Sequence, residues 1–411
     1  MNGSDKAIDE IGAWAPPRNP MLRIVLVVGS IVLVGLILVW AIWADSSPSW
    51  TGFGAYNEAT KGSRAKTLWD WLGLLIIPAV LAGGALWFNK SQKETELKIA
   101  ERARTAEREI AEGRQRQATL EAYYDRMTEL LLEHGLRESD AESEVRSIAR
   151  ARTIATVKSL DSERNRQLFS FLAASSLLTS YTPAIDLRGA DFSGIDLMGV
   201  NLAGARLDRS NFISAHLFAA NLQQADLSGA FLVDANLRLA MLRNTMLMEA
   251  NLSGADLQRA NLSGAVLHMA SLQEADLEGA NLSMALLDGA DLTRCNLVGA
   301  DLSRAHLRRA NLQGSKLTMA NLRGADLSGT DLAVANLTSA NLENARLTEA
   351  DLSAASLASA KGWTIEQLEQ ASSLEGAIMP NGVRLQTDLR EGPTFAEWKA
   401  QVIAHEGTTE A

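Results

Sequence analysis

The chain has 411 residues, of which 47% are hydrophobic, a formal net charge of −10 and one cysteine, Cys295. That length allows two or three structural units. The acidic balance excludes a generally basic nucleic-acid binder, and a lone cysteine excludes a scaffold stapled by internal disulfides.

Residues 1–21 read as an N-terminal tail of mixed charge on the cytoplasmic side. Leu22 to Ala44 follows, an apolar run of 23 residues broken only by Arg23, and Trp71 to Phe88 gives a second uncharged run of 18. Each is long enough to cross ~30 Å of hydrocarbon. Trp40 and Trp43 end the first run, Trp69 and Trp71 open the second and Trp87 closes it, as interfacial aromatic residues do. Ala79 and Gly83 form a small-xxx-small pair that suits helix packing in lipid. A cleaved signal peptide fits the first run worse, because the tail before it is long and carries both signs of charge. Residues 22–88 are therefore expected to form a transmembrane hairpin with loop 45–66 outside and the lipid bilayer as a partner. Lys90, Lys93, Lys98, Arg102 and Arg104 after the second span outnumber Lys61, Arg64 and Lys66 in the loop, which puts both termini in the cytoplasm.

Residues 89–184 are expected to form a helical stalk and a small helical bundle. From Lys90 to His134 nine basic and ten acidic residues mark a long polar helix. A 3/4 spacing through Ile99, Ala103, Ala106, Ile110, Gly113, Gln117, Leu120, Tyr124, Met127 and Leu131 offers a coiled-coil seam, weakened by its small and polar members. Gly135 suits a helix stop. Ser139 or Asp140 is expected to start a second helix reaching Lys158, and Asp161 to cap a third reaching Leu178. Val145, Ile148, Ile154, Val157, Leu168, Phe171 and Leu172 are the apolar positions available for packing.

From Ile185 to Ser359 the chain holds 35 consecutive pentapeptides, each with Leu or Phe at its centre, from Leu187 every fifth residue to Leu357. Only Phe192 and Phe212 are not Leu. Two residues before the centre stands a small residue, nearly always Ala; the exceptions are Ile185, Ile195, Val200, Ser210, Thr245, Cys295, Ser315 and Thr330. Asn or Asp commonly precedes the centre, as in Ala250-Asn251-Leu252-Ser253-Gly254. A period of five fits neither the helical repeat of 3.6 nor the strand repeat of 2. It fits a solenoid that turns a corner once per repeat, with Leu and the small residue inward and three positions outward. Cys295 in a small-residue slot reads as a buried stand-in for Ala.

The A-(N/D)-L-x-x pattern resembles the pentapeptide-repeat family. The resemblance implies a right-handed quadrilateral β-helix with four pentapeptides per coil, hence a rod roughly 40 Å long at ~4.8 Å per coil. Lys66-Thr67-Leu68-Trp69-Asp70-Trp71-Leu72 and Ala122-Tyr123-Tyr124-Asp125-Arg126-Met127, together with Ala149-Arg150-Ala151-Arg152-Thr153, are similar to a bacterial subfamily in which a membrane hairpin and helical stalk precede the array. The subfamily implies a multi-pass protein of the bacterial inner (plasma) membrane and no particular activity.

After Ala360 the frame dissolves, and residues 361–411 are expected to form a helical cap over the exposed solenoid end. Thr364 with Gln367, and Thr394 with Glu397, are capping-box signatures for two short helices. The resemblance adds a second use, since such segments often pair two rods; a homodimer through cap or stalk is thus expected.

No phosphate loop, zinc cluster, H-E-x-x-H or G-x-S-x-G motif occurs, so the chain reads as non-catalytic, with no cofactor or metal. His134, His216, His268, His306 and His405 share no ligand spacing. The periodic Asp and Asn suit turn bonding better than acid–base chemistry. Sorting pentapeptides into four walls places Asp191, Asp234, Glu274, Asp291, Asp331 and Asp351 on the second wall, against the single base Arg294. Well-known members of the family are rods that imitate B-form DNA and bind DNA gyrase, and a DNA mimic needs dense negative charge along one face. Six acids over nine coils is sparse for that, and no basic wall with aromatic residues favours nucleic acid itself.

On the first wall, the slot before the centre reads Met246, Val266 and Leu286 on three successive coils, with Met248 and Met269 beside them. A continuous apolar strip at a normally polar slot marks a contact site, and methionine suits an adaptable one. The expected function is a membrane-anchored cytoplasmic scaffold or docking rod for protein partners. The alternatives are a DNA-mimic inhibitor or protector of an enzyme such as gyrase, and an accessory sensor of a membrane complex.

Overall fold

In the computed structural model the described residues are 68–179, 183–387 and 391–409. The chain divides into two compact units, Met1–Glu107 and Arg108–Ala411. In the first unit, the expected span 22–44 and the loop 45–66 lie outside the described residues. The second expected span falls in helix α1 (Leu68–Leu132), whose side chains are described from Pro78 onward. Val80, Leu81, Leu86, Trp87 and Phe88 are all exposed on it, and from Asn89 the sequence turns polar. Among the described residues no helix is long and apolar enough to cross a membrane. Of the expected pair of transmembrane helices, the second run is helical, while the first lies outside the described residues.

In the second unit, α1 from Arg108 onward packs with α2 (Glu144–Ser159) and α3 (Ser162–Ala174). Leu120, Tyr123, Met127 and Leu130 are buried there, while Tyr124 and Leu131 are partly buried. Leu120 and Met127 of the expected coiled-coil seam are therefore used in packing inside the chain. Ile110, at its edge, is exposed.

Helix α2 starts later than its sequence suggests. Ser143, not Ser139 or Asp140, is the N-cap, its hydroxyl accepting from the N–H of Arg146. Ser139 is drawn off by the preceding turn, where its Oγ donates to the carbonyl of Leu136. Asp161 caps α3 as expected, but the helix stops at Ala174 because Ser176 takes φ 52° and the Leu177 N–H returns to Leu172 O. Leu177 and Leu178 then leave the helix and are buried. Of the apolar positions expected to pack, Val157, Leu168 and Leu172 are buried, Val145, Ile154 and Phe171 partly so, and Ile148 is exposed.

The repeats stack with a period of 20 residues. Parallel bridges pair Asp191 with Asn211, Asn211 with Phe231, and so on to Asn341 with Lys361, which makes each coil four pentapeptides. Three backbone bonds per pentapeptide run between coils; for one repeat they are Leu202 N to Asn221 O at 2.8 Å, Gly204 N to Gln223 O at 2.8 Å and Asn221 N to Val200 O at 2.8 Å. A fourth closes the corner, from Ala205 N to Leu202 O at 3.1 Å. The central Leu and the preceding small residue are buried on coil after coil, so the interior is a ladder of Leu and Ala. Phe192 and Phe212 stack on adjacent coils with centroids 5.1 Å apart. Each fully buried Leu contributes about 2 kcal/mol before entropy is charged.

Residues 361–387 are more than the helical cap expected. Helix α4 (Ile365–Glu369), with the Thr364–Gln367 capping box in place, interrupts the coil, and the ladder then resumes with Ser373 on Asp351 and Ile378 on Ser356. These pairs are 22 residues apart instead of 20, the two extra residues being absorbed at α4. An antiparallel bridge from Ile378 to Arg384, turning at Gly382 with φ 83°, ends the sheet by folding it back. Helix α5 (Phe395–Thr409) follows, capped by Thr394 and Glu397, with Trp398 buried between Phe395 and Trp363.

Candidate functional surface

Three outward positions per pentapeptide make the surface, and the backbone fixes what two of them can do. The Asn or Asp before the centre bonds its own turn, as when Asn261 Oδ1 accepts the Ser263 N–H at 3.1 Å and Asp301 Oδ1 accepts the Ser303 N–H at 3.0 Å. The same side chains also bond between coils, Asn221 Nδ2 donating to Asn201 Oδ1 at 3.1 Å. These carboxylates and amides are structural, as their period implies.

The residue two after the centre has positive φ in all 35 repeats, and in only 13 of them is it Gly. This left-handed slot was not apparent from the hydrophobic frame; the recurring glycine was its signal.

The apolar strip forms one line. Met246 bridges Val266, and Val266 bridges Leu286, so the three stand on consecutive coils. Met246 and Met248 are each 42% exposed and Met269 is 67% exposed, while Val266 and Leu286 are half-buried. Met269 occupies the left-handed slot, with φ 57°. The described part of the C-terminal tail lies at the far coils: Gln367 Nε2 donates to Leu342 O and Ala345 O, and Thr348 Oγ1 to Gln370 Oε1. It does not cover the strip.

The six acids of the second wall are not a uniform anionic track. Asp191 pairs with Lys158 at 2.7 Å, and this contact, followed by bonds from Ser193, pulls its carboxyl down to about 2. Glu274 sits 3.6 Å from Arg294. Burial acts to raise the Asp291 carboxyl, but bonds from Thr293, Gln273 and the backbone outweigh it and hold it below the ordinary range. Asp331 and Asp351 bond the N–H groups of Ala333 and Ser353, and Asp234 bridges nothing cationic among the described ion pairs.

Cys295 is buried, its Sγ donating to Leu272 O at 2.8 Å, and burial pushes the thiol up to about 12. Among the described residues one set of potential metal ligands comes together, Glu129, Glu133 and His134, with ligand atoms within 4.8 Å of one another. Arg126 already pairs with Glu129 there.

A family model described as pentapeptide repeats matches residues 184–213, 215–254, 247–283, 285–324 and 315–353. With that match and the 20-residue coil, the chain belongs to the pentapeptide-repeat proteins. Its solved neighbours include HetL from the cyanobacterium Nostoc, a pentapeptide repeat protein involved in heterocyst differentiation regulation. That protein is 36% identical over 53% of this chain and 97% of its own, with a TM-score of 0.29. Rfr23 from the cyanobacterium Cyanothece is 42% identical over 23% of this chain and 58% of its own, at a TM-score of 0.19. QnrB1, a plasmid-mediated fluoroquinolone resistance protein, is 22% identical over 41% and 86%, at 0.30. No curated protein matches the chain.

Proposed function

We propose that the array is a non-catalytic docking rod for a protein partner, held at a bacterial plasma membrane by residues 22–88 with both termini cytoplasmic. The observation that carries the docking reading is the line Met246–Val266–Leu286, three apolar side chains on consecutive coils at a slot that elsewhere, Phe231 and Met241 apart, holds Asn, Asp or another polar residue. Exposed apolar surface forgoes roughly 25 cal/mol per Å² until it is covered. The methionines flanking the line give it a surface that can adjust to its occupant.

The membrane part of the reading rests on the length of the two apolar runs, the tryptophans at their ends and the exposed Val80, Leu81, Leu86, Trp87 and Phe88. Met246, Val266 and Leu286 changed together to Asn should leave thermal melting of the rod within a degree or two while abolishing complexes that the wild-type chain forms under native detergent extraction. An unchanged set of complexes would end the docking reading. Loss of a dimer instead of a heteromeric complex would make a second copy the occupant. For the anchor, a cysteine placed at Asn57 should be labelled by an impermeant reagent on intact cells and one at Glu112 spared; labelling at Glu112 would reverse the topology.

A further inference from the structure

A cavity of about 480 Å³ lies between the start of α2 and the first two coils of the array. Its lining includes five arginines, Arg146, Arg150, Arg188, Arg206 and Arg209, and only two carboxylates, Asp186 and Asp208. The cavity thus holds a surplus of three positive charges in a chain whose net charge is −10.

Part of this charge serves the fold. Arg146 Nη1 donates to Pro183 O at 3.3 Å and Arg150 Nε to Asp186 O at 2.7 Å, so both tie α2 to the first coil. Arg188 Nε donates to Asp186 Oδ2 at 2.6 Å. Arg209 has no such use: it is exposed and makes no side-chain hydrogen bond or ion pair among the described residues. Asp208 presents the complementary deficit. Its Oδ1 is buried without a hydrogen-bond partner, 3.9 Å from Arg206 Nε. A buried acceptor left unpaired is costly unless a donor reaches it. Fold maintenance therefore accounts for Arg146, Arg150 and the Arg188–Asp186 pair but not for Arg209, nor for the orphaned oxygen.

We propose that this cavity binds a small phosphate-bearing molecule, with Arg188, Arg206 and Arg209 taking the phosphoryl oxygens and Asp208 accepting from a hydroxyl or amino group of the same ligand. The planar guanidinium fork matches phosphate geometry in pairs of hydrogen bonds. The volume falls in the range of small-molecule sites. Arg206 bridges Asp226, which bridges Met246, so the site shares a wall with the apolar strip but lies two coils away, and neither depends on the other.

The test is calorimetric titration of the full detergent-solubilised chain with pyrophosphate, against sodium chloride at matched ionic strength. Arg209→Gln should weaken binding and Asp208→Asn should tighten it, each roughly fivefold for one charge at contact distance in a wet site. The fold tolerates glutamine at the Arg209 slot, since Gln224 has the same position in its repeat with φ 57°, and thermal melting checks this. A phosphoryl group can also come from a lipid. Vesicles of phosphatidylcholine with and without phosphatidic acid form the second arm. Pyrophosphate binding with the two variant signatures assigns a soluble ligand. Phosphatidic acid-dependent retention lost in Arg209→Gln, without pyrophosphate binding, assigns a headgroup. No response in either arm beyond the salt control, or both variants behaving as the wild type, overturns the site.

Discussion

Alanine two before each centre is replaced by a polar residue at five places, and at four of them the side chain reaches the carbonyl of the central Leu 23 residues earlier. Ser210 donates to Leu187 O at 3.0 Å, Thr245 to Leu222 O at 2.8 Å, Cys295 to Leu272 O at 2.8 Å and Thr330 to Leu307 O at 2.7 Å. Ser315 is equally buried, yet its Oγ has no partner. Ser315→Ala should therefore stabilise the rod by about 1 kcal/mol, whereas Thr330→Ala should cost a similar amount. Denaturant melts of the two variants, moving in opposite directions, check this. Val334 is a second local misfit, a β-branched side chain held at φ 61° and 63% exposed. Val334→Asn should gain roughly 1 kcal/mol by relieving left-handed strain without losing burial. Asn244 and Asn344 already stand in that slot. The inward residues were legible because burial writes its period into the sequence. The left-handed slot was not, because 22 non-glycine residues accept it under the constraint of the neighbouring coils.

Among the elements, the joint between the helices and the first coil depends on several polar contacts. Asn165 Nδ2 donates to Val157 O at 3.3 Å and Asp196 O at 3.2 Å, and Lys158 pairs with Asp191. With its carboxyl lowered to about 2, Asp191 adds stability that is complete above the ordinary aspartate value near 3.9 and fades as pH falls toward 2. Both partners are about half exposed, so solvent screening keeps the effect within about 1 kcal/mol. Asp191→Asn should accordingly melt below wild type at pH 7, and the difference should vanish near pH 2. Helix existence and caps at Asp161, Thr364 and Thr394 could be read from local chemistry. The late start of α2 could not, because Ser139, Asp140 and Ser143 are equivalent capping residues until Leu136 claims the Ser139 hydroxyl. The resumed ladder at Ser373 and Ile378 was hidden for a different reason: two extra residues break a five-residue frame while leaving a backbone free to pair.

Across the molecule, core and surface follow different arithmetic. The core repeats every five residues, but neighbours on the surface are 20 apart. Loss of a single pentapeptide from the middle of the array would leave every remaining Leu facing inward. It would also carry each downstream side chain a quarter turn around the rod; a loss between Met246 and Val266 would take Met246 out of line with Val266 and Leu286. Loss of four together would shorten the rod by one coil and keep every stripe in line. Genetic slippage therefore has two outcomes here, one that edits length and one that rewrites the face presented to the outside, and stability cannot distinguish them. Selection for a continuous stripe would leave its mark as insertions and deletions in steps of 20, where selection for folding alone would permit steps of five.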